Sequence, residues 1–200
     1  MRTRTFTAAI AAGLLLATLT ACGSSDTNAD AKPATTSKAK TKTKTSDTPP
    51  PPPPAPLALG TISSWKDNYE GKAANGTAVA LAYTQPARGL GIPIDTVASE
   101  FENPEWAILE VKACNTKGIN ITVSQGPWAL RFPDDTRIEA PFISGGGVPK
   151  PEYPTSDKLL RPGDCIRGKL LFAVEKGKRP DRIVYSAGTL EPVEWAVPAK

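Results

Sequence analysis

Of 200 residues, 24 are Lys or Arg, 20 are Asp or Glu and none is His, for a net charge of +4. The missing histidine excludes Ser-His-Asp and Cys-His catalysis, His-ligated zinc or haem, and histidine-based pH switching. The positive excess lies before residue 61: from Thr61 to Lys200 there are 17 basic and 17 acidic residues, so the folded part lacks the bias that nucleic-acid binding needs.

Arg2 and Arg4 open the chain, and no charged residue follows from Thr5 to Ala21, a stretch centred on Ile10 and Leu14-Leu15-Leu16. A charged start before a short apolar run marks residues 1–21 as a secretory signal peptide. Thr7, Gly13, Thr18 and Thr20 dilute it, and it falls short of the about 20 apolar residues of a membrane span. It ends in Leu19-Thr20-Ala21-Cys22, which resembles the bacterial lipobox: an aliphatic residue, two small ones, then the cysteine that becomes the new N-terminus. The thiol of Cys22 would take a diacylglycerol as a thioether and hold the chain on the outer face of a bacterial cell membrane. The alternative is plain cleavage that leaves an incidental cysteine. Stable anchoring needs more than one acyl chain, which a diacylglyceryl cysteine supplies.

Residues 22–60 form the lipidated cysteine and a linker. From Gly23 to Gly60 there is no aromatic residue, no Val and no Ile, so composition predicts a disordered segment that cannot offset its own ordering entropy. Thr35 to Thr48 interleaves Thr with Lys38, Lys40, Lys42 and Lys44, a charged coil, and Pro49 to Pro54 is an uninterrupted proline run, a stiff polyproline rod. Fully extended, the linker would reach on the order of 125 Å. Its lysines could touch anionic lipid or wall polymers and its threonines could carry glycans, or the whole could be a solvated spacer.

Residues 61–200 suit one domain. After the turn-like Asn75-Gly76, β-type runs follow in order: Ala78 to Tyr83, Trp106 to Cys114 up to a break at Asn115-Thr116-Lys117-Gly118, and Ile119 to Ser124. Trp128, Leu130 and Phe132 alternate up to a tight Pro133-Asp134-Asp135-Thr136 turn, and Arg137 to Ala140 returns. Beyond a loop with Gly145-Gly146-Gly147 and Pro149, Pro151 and Pro154, the run Cys165 to Val174 sets Ile166, Gly168, Leu170, Phe172 and Val174 on one face, and Arg167, Lys169 and Leu171 on the other. Arg182 to Ser186 and Val193 to Val197 complete the set. No segment keeps a helical period, and strands of this length and spacing predict an all-β fold, a single antiparallel β-sandwich of immunoglobulin-like type.

Without Cys22, two cysteines remain, Cys114 ending one strand and Cys165 beginning another. An even pair in an exported domain predicts one structural disulfide, worth roughly 4 kcal/mol for a loop of about 52 residues in the chain-entropy account. The Cys-X-X-Cys proximity of a redox-active pair is missing.

Two stretches carry a family resemblance. They are Trp106-Ala107-Ile108-Leu109-Glu110-Val111-Lys112-Ala113 running into Cys114-Asn115-Thr116, and Leu160-Arg161-Pro162-Gly163-Asp164-Cys165 continuing through Ile166-Arg167-Gly168-Lys169-Leu170-Leu171-Phe172, then Lys178-Arg179-Pro180-Asp181-Arg182-Ile183-Val184-Tyr185. Over about residues 76 to 198 the chain is similar to a family of uncharacterised secreted bacterial lipoproteins with a telokin-like, immunoglobulin-like sandwich, related to immunoprotective extracellular antigens of high-GC Gram-positive bacteria. The resemblance implies an antigen-like or interaction domain and carries over no catalytic residue.

Asp134 and Asp135 could pair as catalytic or metal-binding carboxylates, but their setting is that of a hairpin turn. Glu100, Glu102 and Glu105 offer oxygen ligands to a hard cation, without the spacing of a calcium loop. Gly145 to Gly147 does not open a helix after a strand and so is no phosphate cradle. Trp65, Trp106, Trp128 and Trp195, with Tyr69, Tyr83 and Tyr153, supply core bulk or a stacking platform, and Trp65, Tyr69 and Tyr153 are the ones expected at the surface. The Phe142 to Tyr153 loop is the expected binding surface. The sequence thus predicts a membrane-anchored, non-catalytic binding or interaction module that needs no cofactor, no metal and no nucleic acid, with an extracytoplasmic protein or wall component as partner. A convergent carboxylate pair in a cleft would instead mark an enzyme acting on cell wall or polysaccharide, and several exposed tryptophans would mark a carrier of sugars or small ligands.

Overall fold

The computed structural model describes residues 54–199. The expected signal segment, the expected lipidation site at Cys22 and the expected linker up to residue 53 lie outside the described residues. Within them the chain forms ten strands and no helix, as alternation and turn chemistry predict: β1 Ser63–Tyr69, β2 Lys72–Thr84, β3 Pro104–Gly118, β4 Ile121–Val123, β5 Trp128–Arg131, β6 Arg137–Glu139, β7 Lys158–Leu160, β8 Cys165–Glu175, β9 Arg182–Tyr185 and β10 Val193–Ala196. One four-stranded sheet runs β1-β2-β3-β8, a second runs β10-β9-β5-β6, and β4 pairs with β7 apart from both; all the strand pairs are antiparallel.

Alternation decides which side of each strand is buried. In β3, Ala107, Leu109, Val111 and Ala113 point inward, and in β8 Leu170, Phe172 and Val174 do the same. They meet Trp128, Leu130, Ile183, Tyr185 and Trp195 of the second sheet in one core. Trp128 is its hub, with ring centroids 4.6 Å from Tyr185 and 5.8 Å from Trp195. The two sheets are therefore the layers of a sandwich. The opposite side of β3 and β8 is apolar too: Trp106, Ile108, Leu171 and Ala173 lie under the loops on either side of them. Val97, Ala98 and Phe101 of the β2–β3 connection and Ile143 and Val148 of the next long loop cover that patch. Trp106 Nε1 donates to the carbonyl of Ile92 at 3.1 Å.

The strand limits differ from the sequence expectation in several places, and β7 is a strand that the sequence does not signal. β1 is a strand although Ser63–Tyr69 holds no Val or Ile; it is joined to β2 through Glu70 and Gly71, both with positive φ (50° and 78°), the backbone of a two-residue hairpin turn. Asn75-Gly76 is not a turn but lies inside β2, at a register shift. β3 does not break after Cys114, because Asn115, Lys117 and Gly118 still pair with β2. The fold also begins before Thr61. Leu57 N–H donates to Glu194 at 2.8 Å, Ala196 N–H donates to Leu57 at 2.7 Å, and Leu57 and Leu59 pack on the core. Two leucines suffice to fix this stretch beside β10, although its composition reads as linker.

Cys114 and Cys165 are bonded, with an S–S distance of 2.04 Å. They are direct partners in the β3–β8 register, with Cα atoms 4.0 Å apart. The bridge lies across neighbouring strands at one end of the ladder, on the side away from the core, and Cys165 is exposed. Beside it Asn115 is fully buried: its Nδ2 donates to Ile119 at 2.8 Å and to Leu160 at 3.1 Å. One side chain thus ties the end of β3 to the β4–β7 pair.

Candidate functional site

β1 is an edge strand, hydrogen-bonded to a neighbouring strand on one side only. Ser63, Trp65 and Asp67 are half-buried while Ser64, Lys66 and Asn68 are exposed, which sets Trp65, Asp67 and Tyr69 on one face of the strand. That face looks into a cleft of about 290 Å³. Across from it stand Ile119 to Val123 of the β4 segment, Tyr185 at the end of β9, and Ala187, Gly188 and Leu190 of the β9–β10 connection.

The packing of Trp65 determines the shape of this cleft. Its register partner is Gly76, and a Cβ at Gly76 would collide with Cζ2 and Cε2 of the indole. The glycine lets the ring lie across β2, with its Nε1 edge buried and the rest of the side chain part of the cleft wall. Tyr185 forms the back wall; burial pushes its phenol up to about 12, so it is a neutral hydroxyl at ordinary pH. Asp67 is the one charged residue in the lining. Its Oδ1 accepts the N–H of Asn68 at 2.7 Å, and it makes no ion pair among the described residues.

A larger hollow, of about 630 Å³, lies where the chain enters the domain, between Pro54 to Leu57, Pro192 and Val193 and the charged trio Arg131, Arg182 and Glu194. Its charges pair with one another, Arg131 Nη1 2.8 Å from Glu194, Arg182 Nε 3.7 Å from the same carboxylate and Arg182 Nη1 3.0 Å from Asp181, while Arg131 Nε, Arg182 Nε and Asp181 Oδ1 are buried without a hydrogen-bond partner among the described residues. The smaller cleft combines aromatic walls with a carboxylate that makes no ion pair among the described residues, and it is taken as the candidate ligand site.

The residues singled out in the sequence fall in different places. Trp106, Trp128 and Trp195 are 6%, 0% and 0% exposed, so Trp65 is the one of the four tryptophans that is half-buried rather than buried. Tyr69 is at the surface, as expected. Tyr153 is not: it is 2% exposed, it packs edge-on against Trp128, and burial raises its phenol pKa far above the ordinary value. Glu152 and Tyr153 cross β8 at Gly168, where a Cβ would collide with their backbone, which draws Tyr153 into the core. The Phe142 to Tyr153 loop is thus pinned at its far end and at Val148, while Phe142 stands 74% exposed.

Asp134 and Asp135 form the expected turn. Asp135 takes a positive φ of 63°, and Asp134 accepts the N–H of Thr136 at 3.1 Å. Hydrogen bonds from the side chain and backbone of Thr136 hold the Asp134 carboxyl below its usual range. Glu152 is likewise held low, by Lys150 first and by the N–H of Gly145. Glu100 and Glu102 are exposed, whereas Glu105 accepts a hydrogen bond from the buried Gln85 at 2.9 Å. Among the described residues no group of His, Cys, Asp and Glu side chains is gathered closely enough to hold a metal ion. The sequence reading missed Asp67, Asn120 and Thr122. The one signal for Asp67 was the alternation of Trp65, Asp67 and Tyr69 before Gly71, while Asn120 and Thr122 lie in the run Ile119 to Ser124 that the sequence marks as β-type.

No family model matches the chain, and no curated protein does. Among solved structures it is similar to MPT63, a secreted protein of Mycobacterium tuberculosis, with 16% identity and a TM-score of 0.49, over 72% of this chain and 98% of that one. It is similar to a lipoprotein candidate of Bacillus subtilis, ycdA, with 16% identity and a TM-score of 0.43, over 61% of this chain and 36% of that one. A Listeria monocytogenes protein of unknown function aligns with 13% identity and a TM-score of 0.40, over 72% of this chain and 91% of that one.

Proposed function

We propose that the chain is a lipid-anchored extracytoplasmic lipoprotein whose β-sandwich, immunoglobulin-like in its two packed antiparallel layers, is a non-catalytic binding module. The signal pattern and Leu19-Thr20-Ala21-Cys22 support export and anchoring through Cys22, and the Cys114–Cys165 bridge suits an oxidising compartment. The observation that carries the binding role is the cleft at the β1 edge, with its aromatic walls and free carboxylate. One partly exposed tryptophan, in place of several, speaks against an extended sugar platform.

Chemical cross-linking on intact cells tests this, comparing the full chain with a control that carries only residues 1–60. A protein partner or wall component captured only when the sandwich is present supports a binding module. Identical capture by both chains, or none, overturns it. Replacing Cys22 with Ala should release the chain from the membrane fraction or block its processing, and tight retention of a processed mutant would contradict the anchor.

A further inference from the structure

We propose that the β1 cleft takes a basic side chain, the ammonium of Lys or the guanidinium of Arg, presented by an extended segment of a partner protein. The proposal rests on the binding-module reading and narrows it to one ligand chemistry.

Charge complementarity comes first. Asp67 is the single charged residue in the lining, and no Lys or Arg shares the cleft with it. A carboxylate has capacity for several hydrogen bonds, and that of Asp67 receives one, from its neighbour Asn68. The basic residues of the same hairpin stand clear: Lys66 is on the opposite face of β1, and Lys72 lies at the hairpin end opposite Tyr69, outside the lining. An anionic ligand would meet Asp67 with no cation to offset it.

The walls match the rest of such a side chain. The faces of Trp65 and Tyr69 attract a cation through their ring quadrupoles, and Ile119, Ile121 and Leu190 offer apolar surface to the aliphatic stem that Lys and Arg bury behind their charged heads. The surroundings suit a polypeptide carrier. β1 has a strand partner on one side only, so its other edge is open to an added strand. Tyr69 is 64% exposed and Leu159 53% exposed, two of the four large apolar side chains at the surface of the described residues. Leu159 is the register partner of Thr122 and lies on the same side of the β4–β7 pair, outside the cleft lining.

Titration of the full chain in detergent with short capped peptides tests the proposal. The probes are acetyl-Lys-Val-Lys-amide, acetyl-Glu-Val-Glu-amide and a neutral chitin tetrasaccharide. The readout is the indole N–H resonance and emission of Trp65, assigned by loss in Trp65→Phe; the other three tryptophans are buried. The basic peptide should shift the Trp65 signal to saturation and the acidic one should not. Asp67→Asn should weaken binding about fivefold, the upper end for a partly exposed pair, at an unchanged unfolding midpoint. Equal response to both peptides, an Asp67→Asn variant that binds as well as the parent, preference for the sugar, or no response to any probe overturns the basic-side-chain assignment. If it is overturned while the sandwich still captures a partner on cells, the binding module stands and only the ligand chemistry falls. Loss of that capture as well removes the module itself.

Discussion

Gly76 sits inside a strand, where glycine is unfavourable, because Trp65 occupies the space its side chain would need. Gly76→Ala should lower stability by about 1 to 3 kcal/mol, as an overpacked site does, and should shift the emission of Trp65; an unchanged spectrum and melting curve would contradict the packing described. A second group of residues governs behaviour at high pH. Burial raises the phenol pKa values of Tyr83, Tyr153 and Tyr185, that of Tyr185 to about 12, and at Tyr83 the nearby Arg179 only partly opposes this. The unfolded chain ionises these phenols near about 10. The stability they contribute is therefore fully present below that pH and is lost as pH rises toward the folded values, with a slope of about 1.4 kcal/mol per pH unit for each. Denaturant melts between pH 9 and 12 should show the decline, and Tyr185→Phe should flatten it.

At the scale of elements, the strongly alternating strands were legible. β3, β5, β8, β9 and β10 lie within a few residues of their expected limits, because buried Val, Leu, Ile and aromatic residues at every second position declare a strand. β1 and β7 were not legible. Ser63–Tyr69 and Lys158–Leu160 are short of β-branched residues, and their pairing depends on neighbours far along the chain. The same lack hid part of the candidate site, since three of its residues lie on β1. Asn75-Gly76 misled for a different reason: a dipeptide that commonly makes hairpins here serves side-chain packing. The Cys114–Cys165 pairing followed from composition, but its position did not. It joins two adjacent strands already held by a continuous register from Pro104 to Cys114. Reduction should therefore leave the β3–β8 ladder in register while lowering stability by up to about 4 kcal/mol. Denaturant melts with and without reductant measure the loss, and collapse of the sheet signal under native conditions would show that the bridge, rather than the ladder, holds β8 in place.

At the scale of the whole molecule, net charge, missing histidine and the Cys22 motif bound the function before any geometry is considered. The sandwich adds a direction. Its core takes up Trp128 and Trp195, its covered outer face takes up Trp106 and the long loops, and the β1 mouth keeps half-buried aromatic surface beside a carboxylate that makes no ion pair among the described residues. The Phe142 to Tyr153 loop, expected to bind, spends Ile143, Val148 and Tyr153 on packing and leaves Phe142 outside. The proposed binding surface is therefore the β1 edge. The most direct measurement places a photoreactive amino acid at Thr122, in the cleft, and separately at Glu139, an exposed position on β6, in the full chain on intact cells. A partner captured from Thr122 and not from Glu139 is the predicted result. Capture from Glu139 alone, or from neither position, would contradict the assignment of the cleft as the binding surface.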